Sequence, residues 1–319
     1  MAIIRCCLIY TLMWLSAPYG WAQAYPEKPV RLIIPGTGGT EIVGRLVAQG
    51  MSETLGQRVI VDVRAGAGTN IGAEIAAKAP ADGYTLFQVL QSHTVNVSLY
   101  RKLSYSLERD FTAITQTDSS PLIVVVHPSF PAKSIGDLVR IAKARPGAID
   151  YSNGGVGTST YMGGELFKSI AGVNLVQVAY RGGGPAITAV VSGEVPVYFA
   201  PVATVLPFMQ QGRVRPLAVS TLKRLAALPQ LPTVAESGYP SYEAGNWHGL
   251  MAPAGTPSEI VATVHKAAIA ALGQPEISKR MQDLGYIVHE DTPEEFARFI
   301  KSEIEKWTKI VRANKLSAN

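Results

Sequence analysis

Two glycine-rich loops, each placed between an apolar strand and a helix, are the residues of this sequence best suited to bind a ligand. The first loop, Pro35–Glu41, follows the apolar run Val30–Ile34, and the second loop is residues 154–160, Gly-Gly-Val-Gly-Thr-Ser-Thr. Glycines let the backbone approach a ligand, and a helix that starts there directs free N–H groups and its positive dipole end at it. We expect Thr40 to cap the first helix. The pattern predicts an anion site, with nucleotide, phosphate and carboxylate all open.

Two familiar phosphate motifs are missing from these loops. The dinucleotide fingerprint needs a third glycine at position 41, where this chain has Glu41. Neither loop is followed by the Gly-Lys-Ser/Thr of a P-loop. The nucleotide and phosphate interpretations are therefore disfavoured.

Enzyme motifs are also poorly represented. Ser220-x-x-Lys223 has the spacing of the serine nucleophile and lysine of penicillin-binding enzymes, but the two other motifs of those enzymes are missing. The five histidines are scattered, without a helical His-Glu-x-x-His pair for zinc. His93 and His248 fall in predicted loops and stay candidates for ligand contact. We predict no metal site and no cofactor.

Two other side chains lie beside the predicted loops. Arg181 follows a strand in a glycine-rich turn, where its guanidinium can clamp a carboxylate, although a surface position or a salt bridge fits as well. Tyr161 starts the helix after the second loop and can belong to the core or lean over a ligand.

The N-terminal residues predict export. Arg5 precedes the apolar run Cys6–Leu15, and Ala22-Gln-Ala24 fits a signal-peptidase site, so we expect residues 1–24 to be removed after Ala24. The run is shorter than the roughly 18 residues of a spanning helix. Because Cys6 and Cys7 lie inside this segment, the predicted mature chain has no disulfide and no thiol nucleophile.

Composition limits the class of protein further. Charged residues make up 17% and hydrophobic residues 47%, which excludes a disordered chain. The net charge of +5 comes without a cluster of Lys and Arg interleaved with aromatics, so we predict no nucleic-acid partner.

Strands alternate with helices along the chain, which predicts an α/β fold with mostly parallel pairing. Tyr84–Leu90 reads as a strand that ends in a polar loop at residues 91–94. Capping boxes at residues 256–259 and 292–295 predict two helices near the C-terminus. We expect one lobe of residues 25–121 and 221–319, a second lobe of residues 122–220, and two crossing strands, Leu122–Val126 and Val214–Ser220, as the hinge.

Several segments, in order along the whole predicted mature chain, are similar to one known family. They are Tyr25-Pro-Glu-Lys-Pro-Val, the first loop, residues 66–74, Asp82-Gly-Tyr-Thr-Leu, Tyr180-Arg-Gly-Gly, residues 231–240 and Ala252-Pro-Ala-Gly-Thr-Pro. Together they resemble the tripartite tricarboxylate transporter receptors, also called Bug proteins. The resemblance implies a periplasmic binding protein of two α/β lobes, of type II-like architecture with a two-strand hinge, that closes on a small carboxylate and delivers it to membrane transporter subunits.

The resemblance also implies a binding site at the two loops, where backbone amides, hydroxyls and waters hold a carboxylate. It points to Gly38, Gly39 and Thr40, with Thr158 and Ser159 opposite. Together with the candidates above, the predicted ligand-binding residues are Gly38, Gly39, Thr40, Ser92, His93, Asn153, Thr158, Ser159, Tyr161, Arg181 and Gly182.

Three departures from the family pattern bear on the ligand. Glu41 stands where aspartate is usual, Tyr161 where histidine is frequent, and Ala200-Pro201 where an acidic or amide pair is frequent. Without an acid at 200–201, a ligand ammonium would lack a partner, so we expect a carboxylate without an α-amino group. We expect a monomeric periplasmic receptor; a sensor for a membrane kinase and a secreted enzyme acting on an organic acid remain the alternatives.

Overall fold

The computed structural model describes residues 25–318, so the predicted signal peptide and both cysteines lie outside the described residues. The strands are β1 (Val30–Ile34), β2 (Val59–Val63), β3 (Thr85–Leu90), β4 (Phe111–Val126), β5 (Ile149–Asn153), β6 (Leu175–Ala179), β7 (Val197–Pro201), β8 (Arg215–Val219), β9 (Gly245–Pro253) and β10 (Ile287–Val288). The helices are α1 (Gly39–Leu55), α2 (Asn70–Ala77), α3 (Gln91–Leu99), α4 (Ile135–Ala144), α5 (Ser159–Ala171), α6 (Gly183–Val191), α7 (Val202–Gln210), α8 (Ser258–Leu272), α9 (Pro275–Asp283) and α10 (Pro293–Ala313).

The described strands form a mixed sheet with two parts that meet at β4. In the first part, β1 lies between β2 and β3 and is parallel to both, while β9 lies antiparallel between β3 and β4. In the second part, β7 is antiparallel to β4, and β5 lies parallel between β7 and β6. Parallel pairing thus occupies both outer regions, as the alternation of strands and helices predicts.

The long strand β4 runs through both parts. Its residues 111–121 pair with β9, and its residues 122–126 pair with β7. The predicted second crossing strand is placed differently, because β8 pairs with the second part of β4 and does not cross back. The chain recrosses where β9 starts opposite Pro121. Ser220 joins these segments, since its hydroxyl accepts a hydrogen bond from the Leu122 N–H at 2.8 Å and donates to the Ala244 carbonyl.

The last helix, α10, packs on both parts of the sheet. Its apolar residues recur at helical spacing, which gives the helix one continuous buried stripe. Phe296 and Ile304 belong to a buried cluster with Phe87 of β3. Further along, Trp307 belongs to a different cluster with Leu166 of α5. One helix therefore contributes side chains to two cores.

Two local predictions from the sequence were wrong. Residues 91–94 do not form a loop but begin α3, where the His93 ring accepts a hydrogen bond from the Leu90 N–H at 2.9 Å. Thr256 does not cap α8, because its hydroxyl donates to the Pro253 carbonyl at 2.8 Å and the helix begins at Ser258. The predicted capping box between Thr292 and Glu295 is present at the start of α10.

Candidate functional site

A cavity of about 370 Å³ lies beside the region where β4 and β9 pass between the two parts of the sheet, and we name it the central cavity. Both glycine loops reach it. Its lining residues are Gly39, Thr40, Ile42, Ser120, Gly154, Thr158, Thr160, Gly182, Gly183, Tyr198, Pro201, Ala203, Thr204, Asn246, Leu284 and Tyr286.

Four helices bring their first turn or their N-cap residue to the wall of the central cavity. They are α1 with Gly39 and Thr40, α5 with Thr158 and Thr160, α6 with Gly182 and Gly183, and α7 with Ala203 and Thr204. First-turn N–H groups have no partner within their own helix, and the dipole adds partial positive charge. None of the described lining residues has a charged side chain. Attraction for an anion therefore comes from backbone and hydroxyl groups.

The first loop differs from its prediction at Thr40. Helix α1 starts after Gly38, whose φ of 68° lies in the left-handed region that favours glycine. No described side chain caps this helix, and Thr40 Oγ1 instead lies 3.2 Å from His248 Nε2. The prediction that Thr40 is the cap was wrong because glycine occupies the cap position and Thr40 lies inside the first turn.

Thr40 is the outer member of a chain of buried polar contacts. His248 Nδ1 lies 2.8 Å from Asp118 Oδ1, and both of these side chains are 0% exposed. Asn246 Nδ2 lies 3.2 Å from His248 Nε2, so two residues of the cavity wall contact this one nitrogen. Thr117 donates to the second oxygen of Asp118 at 2.8 Å. A hydroxyl, an imidazole and a carboxylate in this order are also the groups that activate a nucleophile in hydrolases.

The second loop is closed by its own threonines. Thr158 caps α5, since its hydroxyl accepts from the Tyr161 N–H at 3.4 Å and donates to the Gly155 carbonyl at 2.6 Å. Thr160 Oγ1 accepts from the Gly154 N–H at 2.9 Å. These bonds hold the loop at the start of α5 and bring both threonines to the cavity wall.

Two buried hydroxyls in the cavity wall have no hydrogen-bond partner among the described residues. They are Ser120 Oγ, in a residue that is 2% exposed, and the Tyr198 hydroxyl, in a residue that is 0% exposed. Burial raises the pKa of Tyr198. The nearby Thr160 hydroxyl acts against this rise, although the two hydroxyls do not form a hydrogen bond. Because a buried polar group without a partner costs free energy, both hydroxyls are ready to bond to a ligand.

The structure brings four of the predicted site residues to the wall of the central cavity. These are Gly39, Thr40, Thr158 and Gly182. Two others, Gly38 and Ser159, are next to them in the chain but are not part of the wall. The remaining five, Ser92, His93, Asn153, Tyr161 and Arg181, also lie outside it.

Ser92 and His93 support a neighbouring loop instead of the central cavity. Ser92 Oγ lies 3.0 Å from Thr69 Oγ1, and His93 Nε2 lies 3.3 Å from the Thr69 carbonyl. The His93 side chain is fully buried, and this burial lowers its pKa to about 4. A neutral imidazole therefore fixes the segment that precedes α2.

The other three side chains have structural or surface positions. Asn153 accepts from the Gly155 N–H at 2.9 Å and donates to Gln177 at 3.0 Å, so it shapes the second loop from behind. Tyr161 packs in a buried cluster, and burial together with the charge of Glu165 raises its pKa to about 12. Arg181 is exposed to solvent.

Six lining residues with polar side chains were missed by the sequence-based prediction. They are Ser120, Thr160, Tyr198, Thr204, Asn246 and Tyr286. Tyr198 lies within the apolar segment Val197–Ala200, which is typical of core. Ser120 and Asn246 lie on adjacent strands where the sheet changes from one part to the other. They lie near the loops only because these strands pair, and no local sequence motif predicts that pairing.

The described residues offer neither a metal site nor a helix that spans a membrane. No group of three or more His, Cys, Asp or Glu among them could hold a metal ion. Within residues 25–318, no helix combines the length and the apolar character needed to cross a bilayer.

The fold and the site agree with one protein family. Residues 43–316 match the model of the tripartite tricarboxylate transporter family receptor. The chain belongs to this family, whose members are solute-binding receptors. BugT of Bordetella pertussis is 32% identical over 302 residues, which cover 93% of this chain and 92% of that protein.

Two solved structures with bound acids are similar to the chain over almost its whole length. R. palustris Rpa4515 with adipate has a TM-score of 0.83 and 33% identity, covering 92% of this chain and 99% of that chain. MatC (Rpa3494) from Rhodopseudomonas palustris with bound malate has a TM-score of 0.80 and 29% identity, covering 90% of this chain and 100% of that chain. The predicted α/β fold of a two-lobed periplasmic binding protein is confirmed.

Proposed function

We propose that this chain binds a small organic carboxylate in the central cavity. The observation that carries this proposal is the wall itself. Four helix starts line the cavity together with two buried hydroxyls that have no described partner, and none of the described lining residues has a charged side chain. Carboxylate oxygens can accept hydrogen bonds from all of these groups. The acids bound by the relatives, adipate and malate, support the same class of ligand.

The helix starts supply the electrostatic part of the proposed binding. Each N-terminus stabilises an anion by about 0.3–1 kcal/mol at an exposed site, and by up to about 2 kcal/mol where it is partly buried. Several such ends act together at the central cavity. This arrangement attracts a carboxylate without a buried lysine or arginine, whose desolvation would have to be offset.

The wall also favours acids that lack an α-amino group. An ammonium needs an anionic or strongly polar partner when it is buried. The described wall has no acid, and it includes Pro201, one of the two positions where the family pattern often has an acidic or amide pair. Glu41, the nearest acid along the chain, pairs with Arg45 at 2.7 Å. Tight binding of glutamate or aspartate in calorimetry would contradict this part of the proposal.

Capture would proceed by closure of two lobes, residues 25–121 with 245–319 and residues 122–244, because the chain crosses back at the start of β9 and Val234 and Tyr242 pack in the core of the second part. The long strand β4 and the start of β9 join these units and are suited to act as the hinge. We further propose that residues 1–24 direct export, that the monomeric receptor works in the periplasm, and that it delivers its ligand to membrane subunits of a tripartite transporter without turning it over.

A thermal-shift panel tests the proposed ligand class. Adipate, malate, tricarboxylates, aromatic acids, glutamate and aspartate are compared, because a ligand at 100 times its Kd stabilises the folded protein by about 2.7 kcal/mol. We expect saturable shifts with acids that lack the amino group, and weaker shifts with Thr158→Val. Thr263→Val is the matched control, because Thr263 is half-buried on α8, outside the cavity wall, and also loses a hydroxyl that bonds to a carbonyl. Failure of every acid to raise the melting temperature would contradict the proposal.

One observation favours a secreted enzyme as the second candidate. Thr40, His248 and Asp118 are in contact in the order of a nucleophile, a base and an orienting acid. Incubating the protein with simple esters of the same acids separates the two functions. Hydrolysis that is lost in His248→Gln would support an enzyme, whereas saturable binding without product supports the receptor.

A further inference from the structure

His248 is the ionisable group placed immediately behind the central cavity. Its Nε2 lies 3.2 Å from both Thr40 Oγ1 and Asn246 Nδ2, and both of these residues belong to the cavity wall. The imidazole itself is 0% exposed, so it contacts a ligand only through these two side chains. Any change at Nε2 therefore changes what the wall offers to a ligand.

The hydrogen-bond partners define the neutral form of this ring. The Asp118 carboxylate accepts from Nδ1, and its second oxygen accepts from the Thr117 hydroxyl. Nδ1 therefore carries the hydrogen, and Nε2 of the neutral ring is an acceptor. The Asn246 amide and the Thr40 hydroxyl then both donate toward His248. In this form two donors of the wall are turned away from the cavity.

We propose that His248 determines the preference of the site for carboxylates by taking up a proton when the acid binds. A proton from solvent bonds to Nε2, and the new N–H donates to Thr40 Oγ1. The Thr40 O–H is then free to donate into the cavity, and the Asn246 amide hydrogens are released from Nε2 as well. This inference rests on the proposed function, since it requires a carboxylate in the central cavity.

The balance of charge supports this coupling. A protonated His248 forms an ion pair with Asp118, so the buried unit becomes neutral overall instead of negative. The carboxylate then enters a region that has lost a net negative charge. Without the proton, the charge of Asp118 would oppose the ligand across one imidazole ring.

Four other titratable side chains lie on or next to elements around His248. Tyr286 lies with its ring centroid 5.9 Å from that of His248, and burial and the Asp118 charge raise its pKa, so it stays neutral. On α3, burial lowers the pKa of His93 to about 4, so it stays neutral above pH 6. His289, beyond β10, bonds to Ser119 at 2.8 Å. Glu41 on α1 bonds to Arg45.

Calorimetry as a function of pH tests the inference, with adipate and malate as the probes between about pH 6 and about pH 8.5. Binding that takes up a proton weakens as the pH rises, by up to about tenfold in Kd for each pH unit. The measured heat should also change with the ionisation enthalpy of the buffer. In His248→Gln, which keeps polar atoms but does not titrate, we expect Kd to become nearly independent of pH.

His265→Gln is the matched control, because His265 lies on α8, outside the cavity wall, and its ring bonds to the Asp291 carbonyl at 3.1 Å. This variant should keep the pH dependence of the wild type. If His248→Gln does not fold, as judged by circular dichroism, the count of protons taken up by the wild type decides alone.

Three results would overturn the inference. One is tight binding by the wild type with no proton uptake, and another is a pH dependence that survives in a folded His248→Gln. Both would leave the proposed carboxylate receptor intact. Failure of both probes to bind at any pH would overturn the coupling, and failure of the whole acid panel would remove the proposed function as well.

Discussion

The two glycine loops at the central cavity have similar sequences but are built differently. In the first loop, α1 starts at an uncapped glycine, and Thr40 turns toward the buried His248. In the second loop, Thr158 caps α5 and bonds within its own turn. A threonine that follows glycine at a helix start can therefore have either of two structural roles. It can complete the local turn, or it can connect the cavity to a distant strand.

Because of this difference, the first loop contacts ionisable side chains, whereas the described contacts of the second loop are with neutral groups. Behind the first loop lies the buried His248, which contacts both Thr40 and Asp118. Behind the second loop, the described contacts of Thr158, Thr160 and Asn153 are with neutral groups. A change of pH should therefore affect the contacts of the first loop more than those of the second loop. Removal of a hydroxyl should affect the site on either side.

The largest expected effect is on stability in acid. Burial lowers the pKa of His93 to about 4, whereas the unfolded chain has a value near 6.5. Between these values the unfolded state binds more protons, so stability falls as the pH falls from about 6.5 to about 4, by up to about 3 kcal/mol. We expect urea unfolding of His93→Gln to show a smaller loss over this range.

The half-buried His127, which bonds to Ser129 at 2.7 Å, supplies the control for this prediction. His127→Gln should retain the full acid dependence of the wild type. An equal dependence in His93→Gln would mean that other groups cause the loss of stability.

The second effect concerns the neutral side of the cavity. Tyr198→Phe removes a buried hydroxyl that has no described partner, so the unliganded protein should keep its melting temperature. Its affinity for the acid should fall by about 1.5–3 kcal/mol, because a hydrogen bond to a charged group contributes that much. Calorimetry with adipate or malate measures the loss. Unchanged affinity would show that the Tyr198 hydroxyl does not reach the ligand.

A smaller effect compares the two threonines directly. Thr158→Val removes a helix cap and should lower the free energy of unfolding by about 1 kcal/mol. Thr40→Val removes no cap, and Asn246 still donates to His248, so its loss should be smaller. Urea unfolding without ligand gives both values. Equal losses would mean that the two loops do not differ in the way their contacts indicate.

The smallest effect is expected at Arg181. This side chain is exposed and is not part of the cavity wall. Arg181→Ala should therefore change the affinity for the acid by less than about 0.5 kcal/mol. A loss of tenfold or more in calorimetry would restore the carboxylate clamp that was considered from the sequence.

Local chemistry explains which features could be predicted from the sequence. Apolar runs and glycine turns identified β1, β2 and the second loop, because strand and helix patterns are local. Thr40 was assigned the wrong role because its partner, His248, lies on a strand more than two hundred residues away in the chain. Residues 91–94 looked like a loop because the hydrogen bonds that the His93 and Thr94 side chains make inside the protein leave no signal in the sequence. Tyr198 looked like a core residue because its neighbours in the chain, Val197 and Phe199, are apolar.

Helix α10 has a consequence for the order of folding. Phe296 and Ile304 complete one core, and Trp307 and Val311 complete another. Because α10 follows every strand in the chain, neither core can close around its own last residues until this helix has been synthesised. A nascent chain that stops before residue 293 would therefore expose apolar surface in both parts of the sheet at once. Completion of one C-terminal helix would finish both cores together.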